Sequence, residues 1–280
     1  MKIIETHLKQ DGFRGQLFDP ENGTSKAVII LMGGEGKIIS AKLLAEKLSN
    51  YGIAALALYY WNGEDLPPVL SDIPLEMVES AVDFLKKYNG GFKKIGTYGI
   101  SFGSVIALMS GVIFPEISCV IAVSATHIIP EGFIDKKKVS GKSFLTYKGK
   151  PFEYISLESN VPNFKRFQNA YENNSNENTY IPVEKINGRI LLMAGNDESW
   201  NSKFSAEYME NRLNINQFPF PHKLCEYKGS HYIGIIPDMK KYKLLNLIKL
   251  ISKEERRNKV DCENARKQSE QEIINWIKAW

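Results

Sequence analysis

Gly99-Ile100-Ser101-Phe102-Gly103 is the first stretch of this chain whose residue types and spacing could do chemistry. A serine between two glycines, at the end of an apolar run and the start of a helical pattern, has the form of a nucleophile elbow. The sharp turn would strain the serine backbone. Gly99 and Gly103 would remove side chains that otherwise collide with the neighbouring strand and helix. Serine is a poor nucleophile unless a base takes its proton, and the base needs a partner that fixes its tautomer. Where such an elbow is used, the acid and then the base follow the serine in the chain. The structural alternative, a tight turn with no chemistry, is answered by whether those partners follow.

Four histidines limit the search for a base. His7 lies near the amino terminus on an expected edge strand, His127 precedes any suitable acid, and His222 stands before a strand. His231, in "YKGSHYIG" after the segment "KLCEY", stands where the base belongs. The acid should follow the strand "RILLMAG" (189–195), which makes Asp197 the first choice and Glu198 the alternative. Either carboxylate could also cap the helix that follows. An oxyanion would need two backbone donors. One is the N–H of Phe102, and the other is that of Gly34 or Glu35 in the turn "GGEGK". That turn lacks the GK[ST] ending and the G-x-G-x-x-G spacing of a phosphate loop. No His/Cys/Asp group has metal-ligand spacing, and acyl transfer through these residues calls for no cofactor or metal.

These residues require a scaffold that ends strands on one edge. After short alternating segments near residues 2–9 and 11–18, "AVIILMGG" (27–34), "IAALALYY" (53–60), "KIGTYGI" (94–100), "CVIAVSA" (119–125) and "RILLMAG" read as buried strands. Between them, 39–52, 74–88 and 102–114 read as helices from their apolar spacing, with Pro74 as a start signal and Gly52 as a stop. Apolar strands alternating with helices predict an α/β fold, a mostly parallel sheet with helices on both faces. Residues 126–187 break the alternation and are expected to form a cap or lid excursion beside the site, within a single domain spanning 1–280. The charged stretch 252–271 is expected to be solvated helix and connector, and "EIINWIKAW" a closing helix that docks its Ile and Trp residues on the sheet.

At 280 residues, 43% hydrophobic and 24% charged, the chain has the composition of an ordinary globular protein. A net charge of +4, from 36 basic against 32 acidic residues, is too mild for a nucleic-acid partner. The amino terminus lacks the apolar core of a signal peptide, no stretch is long enough for a membrane span, and Cys119, Cys225 and Cys262 form no CxxC pair. A cytoplasmic location is therefore expected. "NGT" at Asn22 reads as a turn. A homodimer is left open as a partner state.

With these residues in place, the chain resembles one branch of the α/β-hydrolases, the carboxyl-terminal catalytic domain of acyl-CoA thioesterases and bile acid-CoA:amino acid N-acyltransferases. "VIILMGGEGK", "ALALYYWNGEDLP", "LEMVESAVDFLKKY", "IGTYGISFGSVIALMSG", "IPVEKINGRILLMAGNDESW", "GSHYIG" and "ARKQSEQEIINWI" carry the likeness, from about residue 26 to the end. The resemblance implies an α/β-hydrolase fold and the same three residues as the independent reading: Ser101 as nucleophile, Asp197 as acid and His231 as base. It implies a small-molecule acyl-CoA or acyl ester as substrate. Members commonly carry an amino-terminal all-β domain that helps recognise acyl-CoA, whereas only some 25 residues precede the match here. Amino-acid-conjugating members use a cysteine nucleophile, so the serine points to hydrolysis. An acyl-CoA thioesterase is the first expectation. A carboxylesterase or dienelactone-hydrolase-like enzyme is second and amide-forming acyl transfer third. A non-catalytic binding protein of the same fold stands as the alternative outside enzymes.

Overall fold

The computed structural model describes residues 1–34, 38–135, 137–197, 199–234, 248–250 and 252–280. Eight strands form one mixed sheet: β1 (Lys2–Thr6), β2 (Arg14–Asp19), β3 (Lys26–Leu31), β4 (Ala54–Tyr59), β6 (Lys94–Ile100), β7 (Ile117–Val123), β12 (Arg189–Ala194) and β13 (His222–Glu226). Their order is β1-β2-β4-β3-β6-β7-β12-β13. The β1–β2 and β2–β4 pairs are antiparallel and all the others are parallel. The parallel strands are apolar on both faces because both faces are covered: every residue of β4 is buried. The two short alternating segments near the amino terminus form the antiparallel edge, joined by the short helix α1 (Leu8–Asp11).

Chain direction explains where a site can lie. From β3 the chain crosses through α2 (Ile38–Asn50) to β4 on one side, then returns through α3 (Glu76–Lys87) to β6 on the other. The order reverses between β3 and β6, and a crevice opens outside the carboxyl ends of strands at such a switch point. α4 (Phe102–Ile113) follows β6 directly and is buried along most of its length, because it lies against β6 and β7. Gly52, expected to stop α2, has a φ of 78°. The Asn22 segment is a turn, with the Gly23 N–H donating to the Pro20 carbonyl at 3.1 Å.

Residues 126–187 are not a structureless loop. They hold β8 (Glu131–Phe133) against β9 (Val139–Ser143), then β10 (Leu145–Tyr147), β11 (Lys150–Pro151) and α5 (Asn163–Asn173). β10 also pairs in parallel with β5 (Ile73–Pro74), which ties this segment to the loop before α3. Phe133, Phe144, Leu145 and Phe167 are buried and belong to the common core.

One expectation about the carboxyl terminus needs correction. From Lys259 the charged stretch is no connector: Lys259–Ala279 is one continuous helix of 21 residues. Cys262, Ala265, Ser269, Ile273, Ile274, Trp276 and Ile277 are its buried residues. Solvated charges on the other face concealed that continuity in the sequence. Its last carbonyls, from Ile277 and Lys278, accept from the Lys26 ammonium at 3.0 and 2.8 Å, a favourable position for a cation. Among the described residues no helix is long and apolar enough to cross a membrane.

Candidate active site

The turn between β6 and α4 is sharp enough to force Ser101 to φ 57° and ψ −129°. A non-glycine residue there is strained by about 1–3 kcal/mol and persists only where its surroundings hold it. Here the Ser101 N–H donates to the Val123 carbonyl at 3.0 Å, and its own carbonyl accepts from the Ser104 N–H and hydroxyl. A Cβ on Gly99 would collide with the Gly103 carbonyl, and one on Gly103 with the carbonyls of Leu31 and Met32. Glycine at both positions is therefore a packing requirement. The half-buried Ser101 stands at the carboxyl edge of β6, at the head of α4.

His231 and Asp197 come together from two loops at the same edge. His231 Nδ1 lies 2.8 Å from Asp197 Oδ2, with 9% of the His231 side chain and none of the Asp197 side chain exposed. An ionised carboxylate only accepts hydrogen bonds, so Nδ1 carries the proton and Nε2 is left to exchange one. Burial alone would push the Asp197 carboxyl up. The charge and hydrogen bond of His231, with the Ser199 N–H at 2.6 Å, outweigh it and hold Asp197 below its ordinary 3.8. The backbone of His231 is held as well, its carbonyl accepting from the Ser124 hydroxyl at 2.8 Å. The Asn196 N–H donates to the Gly229 carbonyl at 2.5 Å, which joins the acid loop to the histidine loop.

Ser101 lies at the same sheet edge and makes no hydrogen bond to His231 among the described residues. Catalytic hydrogen bonds are commonly long until substrate tightens them. The neighbourhood is set by rings instead. The Phe102 ring lies 5.0 Å from that of Trp200, whose ring lies 5.5 Å from that of His231. For an oxyanion, the Phe102 N–H opens α4 and Gly34 stands after β3, where a Cβ would come 3.2 Å from the Phe102 ring. The Tyr60 hydroxyl donates to the carbonyls of Met32 and Gly33 and so orients the turn that carries Gly34. Glu35 and Glu198, the alternatives at the oxyanion turn and the acid position, lie outside the described residues.

The other histidines are placed elsewhere. His7 is exposed beyond β1, and His222 is the first residue of β13 rather than lying before it. His127 is buried among the rings of Tyr171, Tyr180, Phe204 and Tyr208 at 4.5–5.8 Å. Cys119 and Cys262 are buried thiols and Cys225 is half-buried on the edge strand. Burial pushes the Cys119 thiol up to about 12, the wrong direction for a nucleophile. Among the described residues no group of three or more His, Cys, Asp or Glu side chains is arranged to hold a metal ion. Sequence reasoning gave no role to Tyr60, Ser124 or Trp200. The available signals were Tyr60 closing an apolar strand and Trp200 lying three residues after the acid in an otherwise polar loop.

Comparison with known proteins agrees with this architecture. Human acyl-coenzyme A thioesterase 6 is 29% identical over 237 residues, which are 79% of this chain and 52% of that protein. Mouse bile acid-CoA:amino acid N-acyltransferase is 28% identical over 213 residues, 73% of this chain and 48% of that protein. The chain thus spans about half the length of the curated relatives it matches. Among solved structures, a putative dienelactone hydrolase from Klebsiella pneumoniae superposes with a TM-score of 0.58 at 13% identity, covering 100% of both chains. A Pyrococcus furiosus esterase gives 0.53 at 14% identity, covering 100% of this chain and 98% of its own. Those identities speak for the α/β-hydrolase fold alone. Residues 73–237, which hold β6, α4 and both loops of the Asp197–His231 pair, match the family model described as BAAT / acyl-CoA thioester hydrolase C terminal, and the chain belongs to that family.

Proposed function

We propose that this chain is a serine hydrolase that cleaves acyl thioesters, with Ser101 as nucleophile, His231 as base and Asp197 as the acid that orients it. The observation that carries the reading is the buried His231–Asp197 pair at 2.8 Å, at the same sheet edge as a serine held at φ 57°. His231 Nε2 takes the Ser101 proton as Oγ attacks the acyl carbonyl. The Phe102 and Gly34 N–H groups stabilise the tetrahedral oxyanion, each worth roughly 3–4 kcal/mol where such donors have been removed. Collapse expels the thiol, which receives its proton from His231. Water, deprotonated by the same imidazole, then attacks the acyl-serine and releases the acid.

The thioester preference follows family membership and the relatives named as acyl-CoA thioesterases. Residues 126–187, folded between β7 and β12, are proposed as the cap over the acyl group within one hydrolase domain. The test is steady-state hydrolysis of an acyl-CoA series from acetyl to palmitoyl, beside p-nitrophenyl esters of matching length, with Ser101→Ala as the blank. A higher kcat/KM on thioesters that disappears in the blank is the expected result. Turnover of esters alone would make the chain a carboxylesterase, and turnover surviving in Ser101→Ala would remove the nucleophile assignment.

A further inference from the structure

Trp200 follows the acid loop and is 2% exposed. Its indole Nε1–H donates to the Ser124 carbonyl at 2.8 Å, and its own carbonyl accepts from the Tyr171 hydroxyl at 2.9 Å. Its ring meets three others nearly edge to face, at 4.8 Å to Phe167, 5.0 Å to Phe102 and 5.5 Å to His231. One side chain therefore touches the imidazole, the residue after the serine, and helix α5.

Ser124 makes the arrangement more than packing. It has a φ of 47° at the end of β7, a conformation that a non-glycine residue keeps only under restraint. Its N–H donates to the Met193 carbonyl at 2.8 Å, its carbonyl is held by Trp200, and its hydroxyl holds the His231 carbonyl. Asp197 fixes one edge of the imidazole, the indole bounds the ring, and Ser124 fixes the backbone beneath it.

We infer that Ser124, Trp200 and Tyr171 form a bracket that positions His231 against the Ser101–Phe102 turn, with Trp200 as the positioning residue and α5 as the element that sets it. The inference rests on the serine-hydrolase reading above. Without the indole N–H, the fully buried Ser124 carbonyl loses its partner, and the strained residue is free to release the His231 carbonyl. Tyr171 acts one step further out: its hydroxyl bonds both Trp200 and Thr126 and does not touch the base.

The experiment compares Trp200→Phe, Tyr171→Phe and Ser124→Ala with Tyr180→Phe, whose hydroxyl serves the Asn174 carbonyl alone among the described residues. Four quantities are read: the rate of Ser101 labelling by a fluorophosphonate probe, kcat and KM on the substrate the wild type accepts, and the low-field Nδ1–H proton resonance of His231. Trp200→Phe is expected to lower kcat and the labelling rate about 10–100-fold, the scale of a slightly misplaced catalytic group. KM should stay within about twofold and the imidazole resonance should broaden. Tyr171→Phe and Ser124→Ala should lose less in the same sense, and Tyr180→Phe should match the wild type. If Trp200→Phe does not fold, the Tyr171 and Ser124 variants carry the test. A folded Trp200→Phe that labels and turns over at the wild-type rate overturns the bracket. So does a loss in Tyr180→Phe equal to that in Tyr171→Phe, which would mark general packing. An unlabelled wild type is a different result, overturning the hydrolase reading and the bracket with it.

Discussion

Asp197 combines two properties that usually exclude each other, complete burial of its side chain and a carboxyl held below its ordinary value. Its charge survives because His231 and the Ser199 N–H replace the water it lost. Activity that needs this carboxylate ionised should then survive acidification past pH 4, so an acid limb nearer neutrality belongs to another group. Asp197→Asn keeps the shape but lets the imidazole take the wrong tautomer. We expect kcat to fall about 10⁴-fold with little change in KM. His127 shows the opposite case, a histidine kept neutral. Burial among aromatic rings pushes its pKa down to about 3, and its Nδ1 meets the Ser205 hydroxyl at 2.9 Å. The unfolded chain, with His127 near 6.5, binds the extra proton, so stability is full above that value and falls as pH drops toward 3. The slope approaches about 1.4 kcal/mol per pH unit. Thermal melts from pH 7 to 4 should be visibly less pH-dependent in His127→Phe than in the wild type.

At the scale of elements, the regular βα units were legible in the sequence because each is decided locally. β6, read as 94–100, occupies Lys94–Ile100, and the helix read as 102–114 occupies Phe102–Ile113. Residues 126–187 were not legible in the same way. Their strands are two to five residues long, and β10 finds its partner in β5, far upstream. Arg166 is the side chain on which this segment turns. With 1% exposure, its guanidinium donates to the carbonyls of Glu158 and Lys137 and to the Asn163 side chain, across the Phe133 ring. Arg166→Met keeps the stem but removes the hydrogen bonds that tie Lys137, Glu158 and Asn163 together, at a cost of about 1–3 kcal/mol. Limited proteolysis should then cut faster within 126–187 than in the wild type, while the sheet core stays resistant.

Across the whole molecule, an ion pair between the carboxyl-terminal helices Lys253–Arg257 and Lys259–Ala279 is joined to the candidate site by a Ser230 hydrogen bond. Glu255, fully buried, accepts from Arg266 on the last helix and from the Ser230 hydroxyl, each at 2.5 Å, and Ser230 precedes His231. Removing one partner of a buried ion pair strands the other charge, which typically costs about 3–5 kcal/mol. Arg266→Met should therefore lower the unfolding free energy by roughly that amount. The double variant Glu255→Leu/Arg266→Met should recover much of the loss, since the stranded charge is gone. Denaturant melts of the two single variants and the double give the coupling, and strictly additive losses would refute it.

The sequence by itself determined the α/β alternation and the serine at a strand-to-helix turn, because those features follow from local periodicity and spacing, and it offered Asp197 and His231 as candidates by their order after that serine. It could not choose by physics among side chains whose roles depend on what faces them. His127 and His231 are both buried histidines, yet only His231 meets a carboxylate, because β12 and β13 bring its loop beside Asp197. The same holds for Trp200, whose partners come from β7, α4, α5 and the histidine loop. Contacts between residues this far apart in the chain exist only once the sheet order is set, and only the tertiary structure decides them.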